Sequence, residues 1–284
     1  RRAYHKFYNT ICNPILWFLH HYMWSTPYTP TIDQTVHDAW VNGYVEVNKA
    51  FAETVQAEAG QGSQPVCIML HDYHLYLVAG YLRSALPNAL IHHFVHIPWP
   101  TATYWELLPA YMRREVCQGL CGADIVGFQT HRDGVNFLQC CDEFLPDAEV
   151  DYVGESVLLN GRRTFVKTYP LSINVEEVRR LSGAPRVRDY ARQLAALPGG
   201  KAIVRADRAE PNKNILRGLR AYEILLQRHP DMKGQVKFLA FLVPSRTHIR
   251  QYQRYAEEIQ AAIKEINSAQ GTPDWTPIHL YMEN

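Results

Sequence analysis

Short apolar runs, each ending in polar residues, recur along this chain, and most are followed by a segment of helical period. They fall at 66–70, 91–95 and 125–128, then at 202–206, 236–243 and 277–282. Runs this short and this apolar read as buried strands. Their alternation with helices predicts an α/β chain built on parallel sheets covered on both faces. The same constraint says where chemistry belongs, because ligands of such sheets sit beyond the carboxyl ends of the strands. Polar residues stand at those ends here. His71-Asp72-Tyr73-His74-Leu75 follows the first run and His96-Ile97-Pro98-Trp99-Pro100 the second. Arg208-Ala209-Glu210-Pro211-Asn212-Lys213-Asn214 follows the fourth, and Pro244-Ser245-Arg246 the fifth.

Helices are predicted at 14–22, 35–56, 75–86, 107–120, 135–141 and 214–228. A long amphipathic helix follows, with Ile249, Tyr252, Tyr255, Ala256, Ile259, Ile263 and Ile266 on one face. Residues 60–65, rich in Gly, Ser and Gln, read as a loop. Asn160-Gly161 between β-rich stretches signals a hairpin. It is expected as an antiparallel flap over 157–167. Residues 172–188 read as a crossover, so the expected domains are 1–173 and 174–284. The last strand lacks the helix it should feed, and the chain starts at Arg1 instead of Met. An incomplete second domain and further residues upstream are therefore expected.

Composition excludes several classes. Hydrophobic content of 47% in 284 residues supports real cores. Lys plus Arg is 29 against 28 for Asp plus Glu, a net charge of +1. That balance gives no global attraction to nucleic acid or to an anionic membrane, so anion binding must be local. No apolar run approaches the ~18 residues of a membrane span, and the N-terminus has no signal-peptide pattern. Cys12, Cys67, Cys117, Cys121, Cys140 and Cys141 form no secreted framework, and Cys67 falls in a strand expected to be buried. Reduced structural thiols in a cytoplasmic protein are the simplest reading.

Each polar strand end has two readings. Asp72 either caps the next helix or binds hydroxyls through a carboxylate. His96, restrained before Ile-Pro, is either a core histidine or a ligand contact. Arg208 and Lys213 are either a surface pair or a diphosphate clamp, helped by the amides of the helix that begins near Asn214. Arg246, read as starting a helix, is either a solvated charge or a phosphate fork. Tyr8, on an expected loop, and Trp17, on an expected helix, are either core or sugar-facing aromatics. His71, Asp72, His74, His92, His93 and His96 crowd two strand ends. Alternating facings keep any three or four of them from having to converge, so no metal site is expected.

Taken in order, the motifs resemble the trehalose-6-phosphate synthase family over nearly the whole chain. They are Tyr8-Asn9 with Asn13 and Leu16-Trp17, His71 to Leu75, and His96 to Pro100. Ile125-Val126-Gly127-Phe128-Gln129-Thr130, Tyr169-Pro170-Leu171-Ser172-Ile173, Arg208 with Lys213, and Pro244-Ser245-Arg246 complete the set. The resemblance implies a retaining glycosyltransferase of GT-B architecture, two Rossmann-like lobes with a cleft between them and the second lobe incomplete here. It implies transfer of glucose from a nucleoside diphosphate glucose, UDP- or GDP-glucose, to glucose 6-phosphate, without cofactor or metal.

By the same resemblance, Tyr8, Trp17, Asp72 and Arg246 bind the acceptor, and His96, Arg208 and Lys213 bind the donor. Asp72, His96, Arg208 and Lys213 carry the catalysis. The leaving diphosphate takes the proton of the incoming hydroxyl. Missing against the family are the N-terminal strand with its Gly-rich loop and the later donor-lobe motif. Two positions depart from the family pattern. Glu210-Pro211-Asn212-Lys213-Asn214 stands where Asp-Tyr-Ser-Lys-Gly is common, which leaves the donor base open. Thr103 stands where Glu is usual. Two rival readings are a sibling enzyme with another acceptor, such as a glucosylglycerol-phosphate synthase or pseudo-sugar coupling enzyme, and a catalytically silent regulatory subunit. Assembly into a homo-oligomer is left open.

Overall fold

A computed structural model describes residues 1–24, 30–59, 66–247 and 249–282. The loop expected at 60–65 lies outside the described residues. The chain divides into two compact units, Arg1–Ser172 and Ile173–Asn284. Among the described residues no helix is long and apolar enough to cross a membrane.

The first unit opens with one unbroken helical run: α1 (Arg2–His5), a π-helical stretch (Lys6–Leu16) and α2 (Trp17–His20). The expected start at residue 14 is therefore corrected, and Tyr8 lies on a helix instead of a loop. Phe7, Ile11, Ile15 and Leu19 recur every four residues and are all buried. Burying that stripe outweighs the breaking tendency of Pro14, which has no N–H to give the ladder. Wide turns absorb the misfit, and Asn13 Nδ2 donates to the Tyr8 carbonyl (3.1 Å). A second run joins α3 (Gln34–Ala39), π-helical Trp40–Val45 and α4 (Glu46–Ala59).

Strands and helices then alternate: β1 (Cys67–His71), a 3₁₀ turn (Tyr73–Leu75), α5 (Val78–Ala85), β2 (Leu90–Val95), α6 (Ala102–Trp105), α7 (Ala110–Leu120), β3 (Ile125–Phe128) and α8 (His131–Phe144). After them come β4 (Glu149–Asp151), β5 (Ser156–Leu159) and β6 (Arg162–Thr168). The sheet order is β1-β2-β3-β6-β5-β4. Asn160 and Gly161 turn the β5–β6 hairpin with φ of 52° and 75°. The expected antiparallel hairpin is thus present in the first unit, and β6 also pairs in parallel with β3, which joins it to the main sheet.

Burial alternates along β1, with Cys67 and Met69 exposed and Ile68 and Leu70 buried. This strand is thus covered on one face only within its unit, and the expectation of a buried Cys67 is corrected. The covered side holds a dense aromatic core. Trp99 meets Trp105 at 4.8 Å and Phe137 at 5.2 Å, and His20 sits edge-on to both tryptophans. Burial drives the His20 pKa down to about 3, so the ring is neutral. Its Nδ1–H donates to Pro98 O (2.7 Å), which leaves Nε2 to accept from the Tyr76 hydroxyl (3.0 Å). Cys117, Cys121, Cys140 and Cys141 are buried between α7 and α8. Burial pushes the Cys140 and Cys141 thiols well up, which suits structural, protonated sulfur.

The second unit begins with α9 (Val175–Ser182) and α10 (Pro185–Ala195), which occupy the expected crossover. Then come β7 (Lys201–Arg208), a 3₁₀ turn (Pro211–Lys213), α11 (Ile215–Arg228), β8 (Val236–Val243), α12 (Arg250–Gln270) and β9 (Ile278–Met282). The strands run β7-β8-β9, all parallel. On α12, Tyr252, Tyr255, Ile259, Ile263 and Ile266 are buried as the helical period requires. The register pairs Arg208 with Val243. Both strands end level, so the loops that follow them, starting at Ala209 and Pro244, emerge side by side.

Candidate functional site

Register gathers the first group of residues. His71 pairs with Phe94 across β1 and β2, which brings Asp72 level with Val95 and its carboxylate within reach of His96 N. The Asp72 backbone adopts φ 68° and ψ 177°, a region that residues with a side chain rarely enter. Four hydrogen bonds hold it there. Asp72 N donates to Phe94 O (2.8 Å), Leu75 N and His93 Nε2 donate to Asp72 O (3.2 and 3.1 Å), and His96 N donates to Asp72 Oδ1 (3.2 Å). The carboxylate is bonded chiefly to His96 N on the neighbouring strand and only weakly to the Tyr73 N–H of the turn that follows, so capping is not its main role. Burial lifts its pKa, and the His96 N–H and ring pull against that rise.

His93 is the residue that the sequence reading missed. It lies on the buried face of β2, neutral because burial lowers its pKa to about 3, and its Nε2–H steadies the strained Asp72 carbonyl. Its only sequence signal was position, three residues before His96 on the opposite face. His71 Nδ1 and His96 Nε2 share one hydrogen bond of 3.0 Å, so one ring donates and the other accepts. That leaves Nδ1 of His96 for a ligand. Among the described residues no three His, Cys, Asp or Glu side chains are grouped to hold a metal. The crowded strand ends therefore split between a half-exposed pair, His71 and His96, and a core residue, His93.

The N-terminal helix brings the two aromatics to the same place. Tyr8 stacks on His74 at 5.9 Å and on Tyr4 at 5.7 Å. Trp17 lies against Tyr73 (5.8 Å) and His21 (3.9 Å). Tyr8 and Trp17 thus flank the turn directly after Asp72. Tyr8 keeps an accessible face, whereas Trp17 is only 5% exposed and serves the core in this unit.

The second group collects around Glu210, which the sequence reading treated only as a departure from a motif. Glu210 is fully buried. Its Oε1 accepts from Ser245 Oγ (2.6 Å) and Arg246 Nη1 (3.4 Å), and Arg208 Nη1 lies within ion-pair distance of the same oxygen (3.1 Å). Arg246 does not begin a helix as expected. It sits in the loop before α12 with φ 46°, donates to the Tyr252 hydroxyl (3.0 Å) and stacks its guanidinium over that ring. Burial raises the Tyr252 phenol to about 12, with the Arg246 charge opposing. Lys213 ends the 3₁₀ turn, and its carbonyl accepts from Arg205, itself paired to Asp207. Asn214 follows at φ 53°. Asn tolerates that left-handed geometry, so it can stand where the family motif carries Gly. Arg208 is half-exposed, and α11 starts just beyond at Ile215, whose N–H donates to the Tyr255 hydroxyl (2.8 Å), so the loop offers its cationic side chains and not that first helix amide. Such a set can hold two phosphates. A cavity of about 980 Å³ beside α10 and the ends of β7, β8 and β9 is lined by residues such as Tyr190, Asp207, Phe241 and Tyr281, and by none of these cations.

Comparison with known proteins identifies the family and the fold. The profile of Glycosyltransferase family 20 matches residues 1–284. The alpha,alpha-trehalose-phosphate synthase [UDP-forming] of Pichia angusta is 32% identical over 280 residues, 96% of this chain and 56% of that protein. The E. coli trehalose-6-phosphate protein bound with UDP-2-fluoro glucose superposes with a TM-score of 0.86 at 25% identity, covering 100% of this chain and 60% of the other. The Burkholderia xenovorans alpha,alpha-trehalose-phosphate synthase (UDP-forming) in complex with glucose-6-phosphate gives 0.85 at 26%, again 100% and 60%. The chain thus spans little more than half the length of these proteins.

Proposed function

The chain belongs to glycosyltransferase family 20, and on that premise we propose that it is the larger part of a retaining α,α-trehalose-phosphate synthase. It transfers glucose from a nucleoside diphosphate glucose to glucose 6-phosphate. The observation that carries this reading is the cationic loop of the second unit. Arg208 and Lys213 stand five residues apart on a strand-to-helix connection, with Arg246 on the neighbouring loop. Arg208 and Lys213 hold the leaving diphosphate, and Arg246 holds the acceptor phosphate. Asp72 accepts hydrogen bonds from acceptor hydroxyls, His96 meets the donor glucose, and Tyr8 borders the acceptor, with Trp17 packed behind against Tyr73.

No carboxylate in this set acts as a nucleophile. The incoming hydroxyl attacks from the face the diphosphate leaves, and its proton passes to that diphosphate. The protein contributes orientation and fixed charge. UDP is the favoured leaving nucleotide, since the similar proteins are named UDP-forming. Calorimetric titration of the full-length protein with UDP, GDP, ADP and glucose 6-phosphate tests the assignment. Binding of UDP or GDP together with glucose 6-phosphate supports it. Binding of neither sugar phosphate nor any nucleotide refutes it and favours a regulatory subunit.

A further inference from the structure

We propose that Glu210 is a positioning residue: one buried carboxylate holds Arg208 and Arg246 on a common oxygen and so couples occupancy of the diphosphate site to occupancy of the acceptor phosphate site. The coupling half of this inference rests on the function proposed above; the positioning half does not.

The geometry is specific. Arg208 closes β7 and Arg246 lies beyond β8, on separate loops, yet both guanidinium groups point an Nη1 at Oε1 of Glu210. Ser245, the neighbour of Arg246, donates to the same atom at 2.6 Å. Two hydrogen-bond donors and the Arg208 ion pair converge on one oxygen, while Oε2 is buried with no hydrogen-bond partner among the described residues. A carboxylate used only for stability would share donors between both oxygens, because a buried unpaired acceptor is costly. Here the donors are stacked on the oxygen shared by the two arginines.

Charge supports the same assignment. Two guanidinium groups held this near each other repel, and one intervening carboxylate cancels that repulsion while leaving a net positive charge for phosphates. An anion binding Arg208 draws that side chain away from Oε1, which frees the carboxylate to hold Arg246 more firmly. Filling one site therefore alters the other through a single atom, and the effect is reciprocal. Arg246 has little other freedom. Its backbone is left-handed, and its side chain is fixed over Tyr252. It responds to Glu210 by changing how strongly it is held.

The test uses full-length wild type, Glu210→Gln and Ser245→Ala. Glu210→Gln keeps shape and loses charge. Ser245→Ala keeps the carboxylate and removes its shortest bond, a milder change should the first variant fail to fold. Glucose 6-phosphate is titrated by calorimetry with and without saturating UDP, and UDP with and without glucose 6-phosphate. Glu210→Gln should weaken both ligands by about ten- to a hundredfold, the scale of lost charge-assisted bonds. The factor by which one ligand changes the affinity of the other should fall to one. Ser245→Ala should shift both affinities in the same direction by a smaller factor. Either variant weakening only one ligand, or neither, or Glu210→Gln keeping the wild-type coupling factor, overturns the inference. If wild type binds neither ligand, the proposed function fails instead. Positioning is then read without ligand, from ¹⁵N NMR of the arginine Nε–H groups. Arg208 should be restrained in wild type and mobile in Glu210→Gln, with the Arg246 signal shifted but still ordered over Tyr252, and unchanged signals from both arginines in that variant refute the role of Glu210.

Discussion

Asp72 offers a perturbation whose sign runs against ordinary experience. Its φ of 68° and ψ of 177° belong to a region that is essentially glycine's, with a strain of about 1–3 kcal/mol for other residues. Asp72→Ala keeps that strain and loses the bond from His96 N, so it should destabilise the first unit by about 1–3 kcal/mol. Asp72→Gly loses the same bond but relieves the strain. Glycine's looser unfolded chain costs about 0.5–1 kcal/mol in return. The glycine variant should therefore be the more stable of the two by about 1 kcal/mol, although at ordinary positions glycine is the less stable. Thermal unfolding of the full-length variants reads this directly, as a melting temperature about 2–4 °C higher for glycine. Both variants should lose turnover together, because both lack the carboxylate. If the alanine variant melts at or above the glycine variant, Asp72 is unstrained and the account of its four restraining bonds is wrong.

Three other outcomes follow from the same structure. His93 is neutral in the fold, with a pKa near 3 against an ordinary 6.5, so stability present above pH 6.5 drains away as pH falls toward 3; His93→Gln should flatten that limb by one proton, about 1.4 kcal/mol per pH unit, in denaturation series at several pH values. Lys213→Ala should lower kcat/KM for the nucleotide sugar at least tenfold, from about 2–4 kcal/mol of lost transition-state stabilisation, without lowering the melting temperature; a folded variant with full activity would dismiss Lys213 from the diphosphate site. Gly119 lets α7 approach the α5 region so closely that an added Cβ would lie 2.5 Å from Tyr76 O; Gly119→Ala should cost about 1–3 kcal/mol by overpacking, and an unchanged melting temperature would contradict that contact.

The strands were legible because their apolar runs have few alternatives. The runs at 125–128 and 236–243 match β3 and β8 residue for residue. The polar strand ends were legible for the same reason, since a strand's last residues fix where the next side chains emerge. What stayed hidden depended on more than one segment. Pro14 reads locally as a helix start, and only the buried stripe from Phe7 to Leu19 shows why the helix continues through it. Cys67 looks like core until the alternating burial of β1 shows which side it faces. The joining of β6 to β3 is a long-range pairing that the Asn160-Gly161 turn does not encode. Glu210 and His93 act through partners 36 and 21 residues away, and no local pattern marks a residue whose work is to hold another.

The central claim is that these two groups of residues serve glucose transfer to glucose 6-phosphate, and product analysis tests it most directly. The full-length protein is incubated with UDP-glucose or GDP-glucose and glucose 6-phosphate, and the product is followed by ¹H NMR. The account predicts release of the nucleoside diphosphate with stoichiometric formation of a disaccharide phosphate whose two anomeric protons are both α. Release of nucleotide with a β linkage at the transferred glucose, or no disaccharide phosphate with either donor, would contradict it.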